Sequence, residues 1–199
     1  MGRVKEKSRS CRSILHSLLY SVLGLVGVTQ FDPFMFRLNH FSFLFFTKLF
    51  RPVSPTQVYK WQGNKFVLLQ NANLDNTRSA SNLAVFENAG TLKVAIAFFN
   101  DTASSQSYQT KSPIYEWKTS TNEFVLLQEI DTNGPLGVEY FEHKGEQYLV
   151  FANSKASVEI FQWNGNSFNS VQLLPTSQVL SAKPYALLSN GNVLNAGSC

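Results

Sequence analysis

Apolar and polar positions alternate in short runs from residue 57 to about 174, and one run recurs three times. Val58-Tyr59-Lys60-Trp61 leads to Phe66-Val67-Leu68-Leu69-Gln70. Ile114-Tyr115-Glu116-Trp117 leads to Phe124-Val125-Leu126-Leu127-Gln128, and Ile160-Phe161-Gln162-Trp163 leads to Phe168 and Gln172. Strand side chains alternate between faces, so Tyr59 and Trp61 are expected on one face and Val58 and Lys60 on the other. The links Gln62-Gly63-Asn64 and Asn164-Gly165-Asn166 pair Gly with Asn, residues that tolerate positive φ in tight turns. Each copy is predicted to be a β-hairpin, and all three tryptophans of the chain sit at its equivalent position.

A second shared pattern lies between these runs. Leu83-Ala84-Val85-Phe86-Glu87 passes through Asn88-Ala89-Gly90 to Val94-Ala95-Ile96-Ala97-Phe98-Phe99-Asn100. Val138-Glu139-Tyr140-Phe141-Glu142 passes through His143-Lys144-Gly145 to Tyr148-Leu149-Val150-Phe151-Ala152-Asn153. The returning strand is almost wholly apolar, which predicts burial on both faces. Two hairpins per unit give four strands. The tryptophans are 56 and then 46 residues apart, around the blade length of a β-propeller, about 40–50 residues. The longer spacing is assigned to a loop from Asp101 to Ser112, rich in Ser, Thr and Gln. A β-sandwich, the other all-β arrangement of such hairpins, gives no reason for a threefold repeat. The expected fold is all-β: four-stranded antiparallel β-propeller-type blades, about three of them, in an incomplete ring. Tyr59, Trp61, Phe66, Tyr115, Trp117, Phe124, Phe161, Trp163 and Phe168 are the expected repeat core, packed between blades.

The pattern Ile-Tyr-x-Trp, then Phe-x-x-x-Gln, then Phe-Glu-x-x-Gly-x-x-Tyr-Leu-Val-x-Ala-Asn resembles the EAR repeat, also called the EPTP or epitempin repeat. The likeness covers residues 57 to 174 and is strongest from Ile114 through Asn153. The Asp131-Thr132-Asn133-Gly134 segment resembles the family's link between hairpins, and the third unit departs from the pattern after Gln172. The resemblance implies an extracellular seven-bladed propeller that binds protein partners. Such a ring needs about 310 residues at about 45 per blade. A chain of 199 residues is therefore expected to be a truncated propeller or to pair with another copy, because an open array leaves unpaired edges.

Charge changes the picture little. The net charge is +4, but residues 1–51 hold eight Lys and Arg against Glu6 and Asp32, and the remainder holds nine basic and eleven acidic residues. With no basic stripe on the repeat region, nucleic acid is not an expected partner. The two cysteines, Cys11 and Cys199, build no disulfide framework. His16, His40 and His143 do not cluster with them in zinc-ligand spacing.

Residues 1–13 carry Arg3, Lys5, Lys7, Arg9 and Arg12, and an apolar run from Ile14 to Val28 follows. This is the pattern of a secretory signal, with a signal anchor as the alternative, so residues 1–30 are assigned to targeting. Secretion agrees with the sequon Asn100-Asp101-Thr102, which makes Asn100 the glycosylation candidate. In residues 31–50, eight of twenty positions are Phe. The segment 31–56 is set apart from the propeller at 57–199, either as a membrane-interfacial stretch or as sequence that is not native coding.

Propeller glycosidases need two facing carboxylates. The acidic candidates are Asp75, Asp101, Asp131, Glu139 and Glu142. Asp75 and Asp131 follow the second strand of their units and are expected to be turn residues. They are too few to claim a Ca²⁺ site. The reading from sequence is an extracellular protein–protein interaction module without catalytic residues, metal or cofactor. Its expected partner is an extracellular or cell-surface protein, engaged through loops such as Asn71 to Ala80 and Asp101 to Ser112, with self-association through open blade edges. The alternative is a carbohydrate-active enzyme or glycan-binding protein.

Overall fold

The computed structural model describes residues 34–38, 41–46, 57–69, 78–101, 108–176, 179–187 and 193–195. Every regular element among them is a strand, and every pairing is antiparallel. The first sheet runs β1 (Phe34–Leu38), β2 (Phe41–Phe46), β3 (Gln57–Gln62), β4 (Lys65–Leu68). The second runs β5 (Arg78–Asn88), β6 (Thr91–Asp101), β7 (Gln109–Lys118), β8 (Glu123–Asn133). The third runs β9 (Pro135–His143), β10 (Glu146–Asn153), β11 (Val158–Trp163), β12 (Phe168–Leu174). A two-stranded sheet, β13 (Tyr185–Leu187) and β14 (Val193–Asn195), follows. Each large sheet is a four-stranded meander in sequence order, and together they form the open array of propeller-type blades.

The phase of the repeat differs from that of the sequence units. The Trp hairpin is the last half of each sheet, and the apolar hairpin that precedes it in sequence is the first half. Trp61 pairs with Phe66, Trp117 with Phe124 and Trp163 with Phe168, so the three tryptophans occupy equivalent register positions. The Phe-rich segment, expected to stand apart, supplies β1 and β2. Phe43 pairs with Lys60 and Phe45 with Val58, and Phe43 is fully buried. Its aromatic residues are strand formers, and they fill the first half of the first sheet.

The middle sheet is buried on both faces, as its apolar strands demand. Leu83, Val85, Val94, Ile96, Phe98, Trp117 and Phe124 pack with Phe43, Val58 and Leu69 of the first sheet. Ala84, Phe86, Ala95, Ala97, Ile114 and Ile130 pack with Val138, Leu149, Phe151, Phe161 and Phe168 of the third. Period-2 alternation along β5 and β6 thus sends one set of side chains to each neighbour. Gly134 alone links β8 to β9 at φ 57°. A Cβ there would lie 3.0 Å from Lys155 Cγ and Ser154 Oγ, so only glycine fits the crossing.

Candidate interaction surface

The joints between blades are built from the repeated residues. Trp117 lies edge-on to Phe43 at 5.0 Å, and the Lys60 ammonium sits 5.2 Å from its ring while donating to Asn122 Oδ1 at 2.7 Å. Trp163 faces the second sheet, with Lys93 Nζ 5.3 Å from its ring. The Gln128 side-chain amide donates to the Phe168 carbonyl at 2.7 Å and accepts from the Phe168 N–H at 2.8 Å. That two-point clasp uses backbone groups of Phe168 on the free edge of β12. At this joint the Phe-to-Gln spacing shared by the three runs has a mechanical reason: Gln128 of the second sheet holds Phe168 of the third.

Lys93 is buried and donates to the Asn88 carbonyl at 2.8 Å. Burial lowers its pKa, partly opposed by Glu116 and reinforced by Lys118. Between that lowered pKa and the ordinary value of 10.5, the unfolded chain binds more protons than the folded one. Stability should then rise with pH through this window. Chemical denaturation from pH 7 to 10.5 is expected to show that rise in the parent chain and to show it diminished in Lys93→Met.

The meander puts short hairpin tips at one end of the sheets and the connections after β4, β6, β8 and β10 at the other. At this second end a groove of about 550 Å³ opens between the second and third sheets. Arg78, Lys111, Asp131, Asn133, Asn153 and Glu159 are among its lining residues. Its charges are mixed. Arg78 pairs with Glu129 at 3.3 Å and also donates to the Lys111 carbonyl, and Lys111 pairs with Asp131 at 3.4 Å. Asn153 anchors the floor, accepting from the Asn133 N–H at 3.1 Å and donating to the Ser157 carbonyl at 3.1 Å.

Asp131 is not a turn residue. It lies in β8 opposite Lys111, with its side chain exposed, because β7 and β8 extend well beyond the repeat phrase. For the same reason Gln109 to Ser112, expected in a loop, are strand, and the connection between β6 and β7 is residues 102–108. Glu139 is bound by Lys183, and Glu142 accepts from the Tyr140 hydroxyl at 2.6 Å. Asp75, most of the 71–80 loop and the leader at 1–30 lie outside the described residues. Asn100, the glycosylation candidate, is half-buried within β6 opposite Ser79, with its Oδ1 buried, rather than on a loop. His143 is exposed at the end of β9.

Of the expected repeat core, Trp117, Phe124, Phe161 and Phe168 are buried, and Tyr59, Phe66, Tyr115 and Trp163 are half-buried. Trp61 is not core: it is 41% exposed, because among the described residues no sheet covers its side of the first blade. Among the described residues no group of three His, Cys, Asp or Glu could hold a metal, and no helix is long and apolar enough to cross a membrane. Sequence reasoning missed Gln128 as the clasp, although its recurrence as Gln70 and Gln172 was the available signal.

Residues 123–164 match the EPTP domain. The thrombospondin-type laminin G domain and EAR repeat-containing protein of Mus musculus is 30% identical over 154 residues, covering 71% of this chain and 22% of that protein. Leucine-rich glioma-inactivated protein 1 of Homo sapiens is 24% identical over 131 residues, covering 65% and 22%. Adhesion G-protein coupled receptor V1 of Danio rerio is 30% identical over 144 residues, covering 72% of this chain and 2% of the receptor. The chain spans about a fifth of the length of the first relatives it matches. Among solved structures, an exo-β-1,3-galactanase of Phanerochaete chrysosporium superposes with a TM-score of 0.54 at 9% identity, covering 84% of this chain and 43% of that one. At that identity the likeness concerns the fold alone.

Proposed function

This chain is an EAR/EPTP-repeat protein, and on that premise we propose that it is an extracellular protein–protein interaction module, acting in adhesion or receptor binding and without catalysis of its own. The supporting observation is the groove end of the blades. There the connections of successive blades emerge beside a mixed-charge surface formed by Arg78, Lys111, Asp131 and Glu159. Interaction sites concentrate on loops held by a rigid scaffold, and rim charges set specificity and association rate. The partner is a protein outside the cell or on its surface, and the chain also self-associates. Secretion belongs to the same reading.

The test is binding of the whole chain to a library of cell-surface ectodomains. For a partner found there, the charge reversals Lys111→Glu and Asp131→Lys are expected to weaken affinity at least tenfold while leaving stability within about 0.5 kcal/mol, as for other surface changes. Binding that survives both reversals would move the site away from the groove. Glycoside hydrolysis by the parent chain that is lost in Asp131→Asn would replace the interaction reading with an enzymatic one.

A further inference from the structure

The groove between the second and third sheets holds polar groups that the fold leaves unspent. Its volume, about 550 Å³, falls in the range of small-molecule sites, about 300–1,000 Å³. Among the described residues that line it, only Ala156 has a wholly apolar side chain, and Arg78 and Lys111 are balanced by Asp131 and Glu159. Each of these carboxylates has one oxygen engaged. Asp131 Oδ1 pairs with Lys111 at 3.4 Å, and Glu159 Oε1 accepts from the Ser170 hydroxyl at 2.5 Å. The second oxygen of each, and the Asn133 carboxamide, have no hydrogen-bond partner among the described residues. The Lys111 and Asp131 side chains are largely exposed.

The rim adds one aromatic platform. Tyr108 precedes Gln109 of the groove wall, and Lys155 precedes Ala156. The Tyr108 residue is 36% exposed and held on three sides. Its ring meets Phe99 edge-on at 5.2 Å, Lys155 Nζ lies 4.7 Å from its centre, and its carbonyl accepts from the Gly134 N–H at 2.7 Å. A tyrosine fixed in this way offers a rigid apolar surface with a polar tip, at little cost in conformational entropy. Platform and groove both belong to the closed joint between two successive blades, where residues from both sheets are already in place.

We propose that this groove binds a neutral glycan carried by the partner protein. The inference rests on the reading of this end of the blades as the interaction surface, and it adds the class of group that enters it. Charge selects neutrality: a strongly anionic or cationic ligand would gain from one pair of charges and lose to the other. Lining selects hydroxyls. Protein anchors are large side chains seated in matching pockets, and a wall of amides, hydroxyls and charged groups offers them little. A sugar hydroxyl both donates and accepts, so a short oligosaccharide can satisfy the Asn133 carboxamide, the Lys111 ammonium and the free carboxylate oxygens together. Tyr108 supplies the flat surface on which the apolar face of a sugar ring rests.

The full chain is titrated by calorimetry and saturation-transfer NMR with asialo biantennary and high-mannose N-glycans, and with the disialylated biantennary form. The parent chain is expected to bind at least one neutral glycan with a Kd of about 1 mM or tighter, and the disialylated form no more tightly. Asn133→Ala removes the free carboxamide, Tyr108→Ala removes the platform, and Asp131→Asn keeps the shape of an exposed side chain while removing its charge. Each should weaken binding about threefold or more, with the thermal unfolding midpoint read alongside to confirm the fold. Failure of both neutral glycans to bind, tighter binding of the disialylated form, or unchanged binding in any variant that keeps the parent's midpoint would overturn the glycan site. An ectodomain that binds through Lys111 and Asp131 equally well after enzymatic removal of its glycans would also overturn it, and would leave the protein-interaction reading standing.

Discussion

Replacing Trp117 by alanine is expected to lower the free energy of unfolding by about 3–5 kcal/mol, whereas the same change at Trp61 should cost less than about 1 kcal/mol. The two tryptophans share a phrase and a register position, so sequence alone assigns them one role. Their surroundings differ. Trp117 is 5% exposed, touches Phe43 and Phe124 at ring distances of 5.0 Å, and carries the Lys60 ammonium over its ring. Its removal opens a cavity between two sheets that cannot close without moving both. Trp61 contacts Phe66 at 5.0 Å and is 41% exposed. Urea unfolding of the two variants, at a concentration where the chain is monomeric, checks the contrast. Equal losses would mean that the first blade is covered as the second is.

How much of this was legible in the sequence follows from where each signal came. The strands were readable because Ala95, Ile96 and Ala97, like Leu149 and Val150, leave no polar face, so their burial on both sides needed no partner to be named. Repetition made the tryptophan register legible. Two things were not. The grouping of hairpins into blades was hidden, since a repeating unit can be cut at any point and only hydrogen bonding between β6 and β7 shows which hairpins share a sheet. The extent of β7 and β8 was hidden too, because Gln109 to Ser112 and Asp131 to Asn133 read as polar loop. Thr132 Oγ1 donates to the Thr110 carbonyl at 3.2 Å and lies 2.8 Å from Ser112 Oγ, a buried polar ladder that composition scores as exposed. The groove was illegible for the same reason: it is lined by the ends of strands whose polarity resembles that of a turn.

The segment 31–50 provides the second large effect. Phe43→Ala is expected to destabilise the chain by about 3–5 kcal/mol, comparable to Trp117→Ala, and the double variant should lose less than the sum of the two. Phe43 is fully buried and stands against both Trp117 and Phe124, at 5.0 and 6.0 Å. A segment outside the propeller would tolerate the change, as a surface position does, within about 0.5 kcal/mol. Contact makes the two losses non-additive, because either alanine opens the same cavity and the second removes fewer remaining contacts. A double-mutant cycle on Phe43 and Trp117, read by urea unfolding, therefore tests the placement of β2 directly. A coupling of about 0.5 kcal/mol or more is expected. Additive losses would detach the Phe-rich strand from the first joint, leaving the four-stranded first blade without its inner pair.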